Sequence, residues 1–193
     1  MEKTNHFVTG QARLSYVHLN APYAHQVGGD AKYSVTVLVP KTDKKTKATI
    51  DAAIAAATQL GISKNWNGTK PPMLSTPLYD GDGVRPNGEP FGAECKGCWV
   101  FTASSKADRK PRIVNSQVQD IIDPNEIYSG IYGRVGVDAY PYNVSGKRGI
   151  AFGLTNVQKL ADGDPLGSST TAEDDFGAPV EVGAIHPMTG LPL

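Results

Sequence analysis

A mainly β fold, a small antiparallel barrel with one helix set among its strands, is predicted by three features of the sequence. The 193 residues include 21 Gly and 14 Pro, a composition that favours turns and short strands over a helical bundle. Segments rich in β-branched and aromatic residues recur along the chain and are separated by clusters of turn-forming residues. Apolar residues take helical spacing over one segment, 46–60.

Residues 8–19 alternate loosely, with Arg13 and Ser15 set among Leu14, Tyr16 and Val17, and read as a first strand. The clearest strand is 31–39, where Tyr33, Val35, Val37 and Val39 share one face and Lys32, Ser34 and Thr36 the other; Pro40 ends it. The helix follows, because Ile50, Ala53, Ile54, Ala57 and Leu60 keep its period and Gly61 supplies a stop signal. Residues 61–97 are dense in Gly, Pro and Asn and predict a long irregular insertion. Strands resume at 98–104, 112–115, 130–142 and 148–159. Strands, one helix, then strands again suit the OB-fold, a five-stranded barrel; a β-sandwich suits the helix less well. The predicted organisation is a binding domain over 1–160 and a flexible acidic segment over 161–193.

Charge is sorted along the chain. All 19 Lys and Arg lie in residues 1–160 with 13 acidic groups, net +6; residues 161–193 hold Asp162, Asp164, Glu173, Asp174, Asp175 and Glu181, net −6. A basic body tied to an acidic segment suggests a protein that holds a polyanion and carries a tethered competitor for the same groove. No apolar run is long enough to span a membrane and no secretion signal is evident, so a cytoplasmic location is expected. Cys95 and Cys98 have C-x-x-C spacing, but no second pair completes a zinc site, and both are expected as reduced thiols at a loop–strand junction. No phosphate-binding glycine loop occurs, and Asp80, Asp82 and Asp138 do not form a catalytic pattern. No enzyme activity, metal or cofactor is expected.

The strand over 130–142 carries the functional signal. Alternation puts Ile131, Val135, Val137 and Ala139 on the core side and Tyr132, Arg134, Asp138, Tyr140 and Tyr142 on the other. Rings interleaved with a guanidinium on a barrel wall suit single-stranded nucleic acid, because bases stack on rings while cations follow the phosphates. Three basic clusters flank the strand in sequence: Lys106, Arg109, Lys110 and Arg112 in one loop, Lys147 and Arg148 after a turn, and Lys41, Lys44, Lys45 and Lys47 at the start of the helix. Trp66, in a polar setting, is either a further stacking ring or an anchor for the insertion. Trp99 and Phe101 share a strand face and are assigned to the core.

The stretches CWVFTASSKADRKPRIVN, IIDPNEIYSGIYGRVGVDAYPYN, KRGIAFGLTNVQKLADGDPLG and AEDDFG resemble a family of bacteriophage single-stranded DNA-binding proteins, similar in fold to the acidic-tailed single-stranded DNA-binding protein of short-tailed coliphages. The resemblance runs from about residue 12 to 177. It implies an OB-fold core, sequence-nonspecific binding of single-stranded DNA, and a role in phage DNA replication, recombination or repair. It also implies that the acidic segment, here Glu173, Asp174, Asp175 and Phe176, contacts replication proteins or gates the groove. Homo-oligomers or cooperative assembly on DNA are compatible with it. The alternative is a virion structural or protein-interaction module that uses the same barrel face for protein contacts.

Overall fold

The computed structural model describes residues 5–167. Eight strands and one α-helix follow in the order β1 (His6–Val8), β2 (Ala12–Tyr23), β3 (Lys32–Pro40), α1 (Lys44–Lys64), β4 (Tyr79–Asp80), β5 (Cys98–Lys106), β6 (Arg112–Val114), β7 (Tyr132–Val144) and β8 (Lys147–Ala161). Five of them close a ring of pairings, β2–β3–β5–β8–β7 and back to β2. Every link in the ring is antiparallel except β5 with β8, a parallel contact at Ser104 and Gly153. The architecture is that of an OB-fold-like barrel with one helix.

The core faces match the alternation of the sequence. Val35, Val37 and Val39 of β3, Ile131 just before β7, and Val135, Val137 and Ala139 of β7 point inward and are buried. Phe7, Phe101 and Phe152 pack edge to face among them, with ring centroids 5.1–6.0 Å apart. The edge-to-face arrangement places the positive rim of one ring on the negative face of the next.

Helix α1 closes the side of the ring near β7. Asp43 caps it: the carboxylate accepts from the Thr46 amide at 3.0 Å and holds this acid below its usual range, chiefly through the Thr46 hydroxyl. That cap offsets the cost of the lysines at the positive end of the helix dipole. The predicted stop at Gly61 is overturned. The helix runs on to Lys64, and Gly61 is buried inside it because a Cβ there would lie 2.5 Å from the ring of Trp66. Gly61 is a packing glycine, and the helix ends where the Asn65 and Trp66 amides both turn back onto the Gly61 carbonyl.

The insertion carries little regular structure, as expected. Its first half ends in β4, which pairs with β5, and residues 84–90 fold back as a short arm through a bridge between Val84 and Pro90. Contacts persist past the expected domain limit at 160. Strand β8 extends to Ala161, and the next residues are tied down by Tyr128 bonding to Asp162, Arg13 to the Asp164 carbonyl, and the Leu166 amide to Ser129. Glu173, Asp174, Asp175 and Phe176 lie outside the described residues.

Candidate nucleic-acid interface

An open groove of about 400 Å³ runs over the outer face of β2, β3 and β5. Three rows of paired residues lie across that face: Ser15–Thr36–Thr102, then His18–Ser34–Ser104, then Tyr23–Lys32–Lys106. The floor is therefore small and hydroxylated, and the Thr36 and Thr102 hydroxyls bond to each other at 2.9 Å. The walls are aromatic. On one side Tyr16 and His25 reach in from β2 and its hairpin, where His18 and Tyr23 stack parallel at 4.4 Å and His25 stands edge-on to both. On the other side the insertion supplies Tyr79 and Phe91, with the Arg85 guanidinium 5.5 Å over the Phe91 ring. Lys32 and Lys106, directly opposite each other, lie on the same face two rows beyond Thr36 and Thr102.

Local chemistry explains how these side chains are presented. A bulge in β2 between Ser15 and His18 turns Tyr16 to φ 45° and leaves its ring 56% exposed. Burial, and then the nearby His25, lower the basicity of His18, so its imidazole is neutral at pH 7. Flat rings beside a floor without bulk leave room for bases, and Arg85, Lys32 and Lys106 supply positive charge for phosphates.

The residues singled out from the sequence do not form one shelf. Tyr132 lies beside Arg13, whose guanidinium is 5.8 Å over its ring, in the row that continues through Leu38 and Val100 to Tyr79. A Cβ on Gly163 would lie 2.8 Å from the Tyr132 ring, so the segment after β8 covers its edge. Arg134 donates to the Thr9 carbonyl and stands in register with Gln158, on the side of β6. Asp138 pairs with His6 at 2.7 Å. Tyr140 lies against Gly153 and Tyr142 against Gly149, glycines of β8 that leave space for the rings. Tyr140 is 44% exposed, on the surface that continues through Ser104 to the groove floor.

The basic clusters also divide. Lys106 stands at the groove, and Arg109 follows in the tight turn closed by its amide on the Lys106 carbonyl. Lys110 and Arg112 line a separate cleft, where Arg112 is paired with Asp120 at 2.7 Å. Lys147 and Arg148 begin β8, which runs parallel to β5, and so lie roughly 25 Å along the strands from Lys106. Trp66 is not a stacking ring for DNA. It is 1% exposed, and its indole nitrogen donates to the Tyr142 carbonyl at 3.1 Å, which makes it the anchor beneath the insertion. Trp99 is only half-buried, with Lys41 and Lys47 over its ring. Burial pushes the Cys95 thiol up to about 11 and raises Cys98 as well, so neither is a ready nucleophile.

The sequence reading missed Tyr16, His18, Tyr23, His25, Tyr79, Arg85 and Phe91. The available signal was the ring-rich hairpin 16–25, where aromatic and imidazole side chains crowd a turn that needs none for its core.

A small barrel whose outer face is an aromatic-walled, cation-ended groove defines the class of OB-fold single-strand binders. The chain belongs to the family described as Enterobacter phage Enc34, ssDNA-binding protein, which it matches over residues 5–184. Among solved structures it is similar to the single-stranded DNA-binding protein from bacteriophage Enc34 in complex with ssDNA, at 29% identity and TM-score 0.67, covering 86% of this chain and 91% of that one. A second structure of the single-stranded DNA-binding protein from bacteriophage Enc34 matches at 27% identity and TM-score 0.66, covering 90% of each chain. Gp2.5, a single-stranded DNA-binding protein encoded by bacteriophage T7, shares the fold at 14% identity and TM-score 0.59, covering 94% of this chain and 98% of that one. A search of the curated proteins finds no significant match. No helix among the described residues is long and apolar enough to cross a membrane.

Proposed function

We propose that this chain binds single-stranded DNA without sequence preference and acts, without catalysis, in phage DNA replication, recombination or repair in the cytoplasm of the infected cell. The observation that carries the reading is the groove itself: a hydroxylated floor between two aromatic walls, in a chain whose family is one of single-stranded DNA-binding proteins. Bases stack on the walls while Arg85, Lys32 and Lys106 neutralise the backbone. Tyr140, Arg109 and the Lys147–Arg148 pair extend the surface available to a longer strand; Tyr132, Arg134, Tyr142, Lys110 and Arg112 stand further from the floor and contribute at its margins. The barrel of β1–β8 with α1 forms the binding domain. The acidic segment that follows is rooted by Asp162–Leu166 beside Arg13, and its Glu173–Phe176 stretch competes with DNA or contacts replication proteins.

The test is an anisotropy titration of labelled single- and double-stranded oligonucleotides across a salt gradient. With about five phosphates neutralised, the log–log salt slope for single strands is near −3 to −4. Duplex should bind more weakly, and a chain ending at Gly167 should bind single strands more tightly. Binding to single strands no better than to duplex would sink the reading.

A further inference from the structure

We propose that Lys41 is a positioning residue for single-stranded DNA binding: it clasps Asp80 and Asp82 and thereby sets the arm that forms one wall of the groove. The inference rests on the groove described under Proposed function. Lys41 follows the last residue of β3, and its ammonium lies 2.5 Å from Asp80 Oδ1 and 2.6 Å from Asp82 Oδ2. Asp82 also accepts from the Gly97 amide at 3.0 Å, and the Lys41 amide donates to the Gly97 carbonyl at 2.9 Å. Lys41 thus joins the end of β3 to both roots of the arm, to 80–82 through its side chain and to 97 through its backbone amide.

The roots touch directly. The Gly81 amide donates to the Cys98 carbonyl at 2.9 Å, and a Cβ on Gly81 would lie 2.0 Å from the Cys95 carbonyl oxygen. There is no slack at this crossing, so a shift of either root moves everything between them, including Arg85 and Phe91. Tyr79, the third ring-bearing or cationic wall residue of the arm, immediately precedes Asp80.

An exposed ion pair by itself contributes little. The clasp differs because removing the ammonium leaves two carboxylates in close company, each of which its hydrogen bond to Lys41 now holds below the usual range. Their repulsion then opens the crossing. Lys41 does not line the groove; it lies on the helix side, 5.1 Å over the Trp99 ring. Its influence on bound DNA therefore passes through the arm.

Titrations of a labelled oligo-dT against the full chain, with K41M, K41R, D80N/D82N, F91A and K41M/F91A, separate the possibilities. K41M should weaken binding about fivefold or more, the loss of part of one stack, with K41R restoring affinity. D80N/D82N, which leaves no like charges to repel, should bind close to the wild type, and K41M made on that background should lose nothing further. K41M/F91A should bind no worse than F91A alone, because both changes act through the same wall. Wild-type affinity in K41M beside a weakened F91A overturns the clasp and leaves the groove standing; unchanged affinity in F91A overturns the groove as well. Because Arg85 moves with the arm, a salt slope shallower by about 0.7 in K41M assigns Lys41 a direct phosphate contact only where it recurs on an R85A background, an outcome that would refute the positioning role. Additive losses in the double variant would also refute the positioning role.

Discussion

Tyr16 separates fold from function on a single side chain. Its backbone sits at φ 45° within β2, and its ring stands exposed along the groove. A non-glycine residue in that left-handed region costs roughly 1–2 kcal/mol, whereas glycine adds about 0.5–1 kcal/mol of chain entropy to be lost on folding. Tyr16→Ala removes the ring and keeps the backbone cost; Tyr16→Gly removes both. The glycine variant should therefore be more stable than the alanine variant by about 0.5–1 kcal/mol, a difference of roughly 1–4 °C in Tm for a chain of this size. On DNA the two should be equal, each losing one stack of about 1–3 kcal/mol, or about 5- to 150-fold in Kd. Thermal melts followed by circular dichroism and anisotropy titrations with oligo-dT read the two quantities independently. A glycine variant no more stable than the alanine variant would refute the backbone argument, and wild-type affinity in either would refute the wall.

Gly61→Ala places a methyl group 2.5 Å from the Trp66 ring, which cannot retreat without losing its bond to the Tyr142 carbonyl. A destabilisation of about 1–3 kcal/mol is expected, read as an earlier urea midpoint; an unchanged midpoint would show that helix and indole separate freely. His18 gives a pH signature. Its folded-state basicity lies below the ordinary value of 6.5, first through burial and then through His25, so the unfolded chain binds the proton more readily. Its contribution is complete above that value and is lost as pH falls below it. The urea midpoint should drop between pH 7.5 and pH 5.5, and His18→Gln should flatten the drop; an equal drop in both proteins would place the effect elsewhere. Asp80 and Asp82, held low by Lys41, stay ionised through that window and do not confuse the reading.

The inward faces of β3 and β7 were legible because a two-residue period has one solution once one face is apolar. The helix was legible for the same reason at a different period, yet its end was not. Gly61 carries the same letter whether it stops a helix or makes way for a ring, and only the position of Trp66 distinguishes them. The groove was harder still. Its walls come from the 16–25 hairpin and the 79–91 stretch, far apart in sequence, and they meet only because β3 lies between β2 and β5. Alternation places Tyr140 and Tyr142 outward; the glycines of β8 against which their rings rest are visible only in the cross-strand register. Clusters of lysine and arginine adjacent in sequence, such as Lys106–Arg112, were divided by a turn and by the partner Asp120.

The groove is also where the fold departs from its own local preferences. Tyr16 adopts a glycine-like conformation inside a strand, whereas Asn67, Val118 and Ser145, the other non-glycine residues at positive φ among those described, lie in connecting turns. Lys32 and Lys106 face each other across a strand pair, an arrangement that costs stability. His18 is kept from its proton by partial burial beside a second imidazole. Each of these costs can be removed by one conservative substitution, and all three lie on the face shared by β2, β3 and β5. Costs that collect on one surface are offset by something that binds there. A polyanion with stacking bases would offset all three at once: a phosphate would separate the paired lysines and favour a protonated imidazole, and a base would give the strained tyrosine a ring to meet.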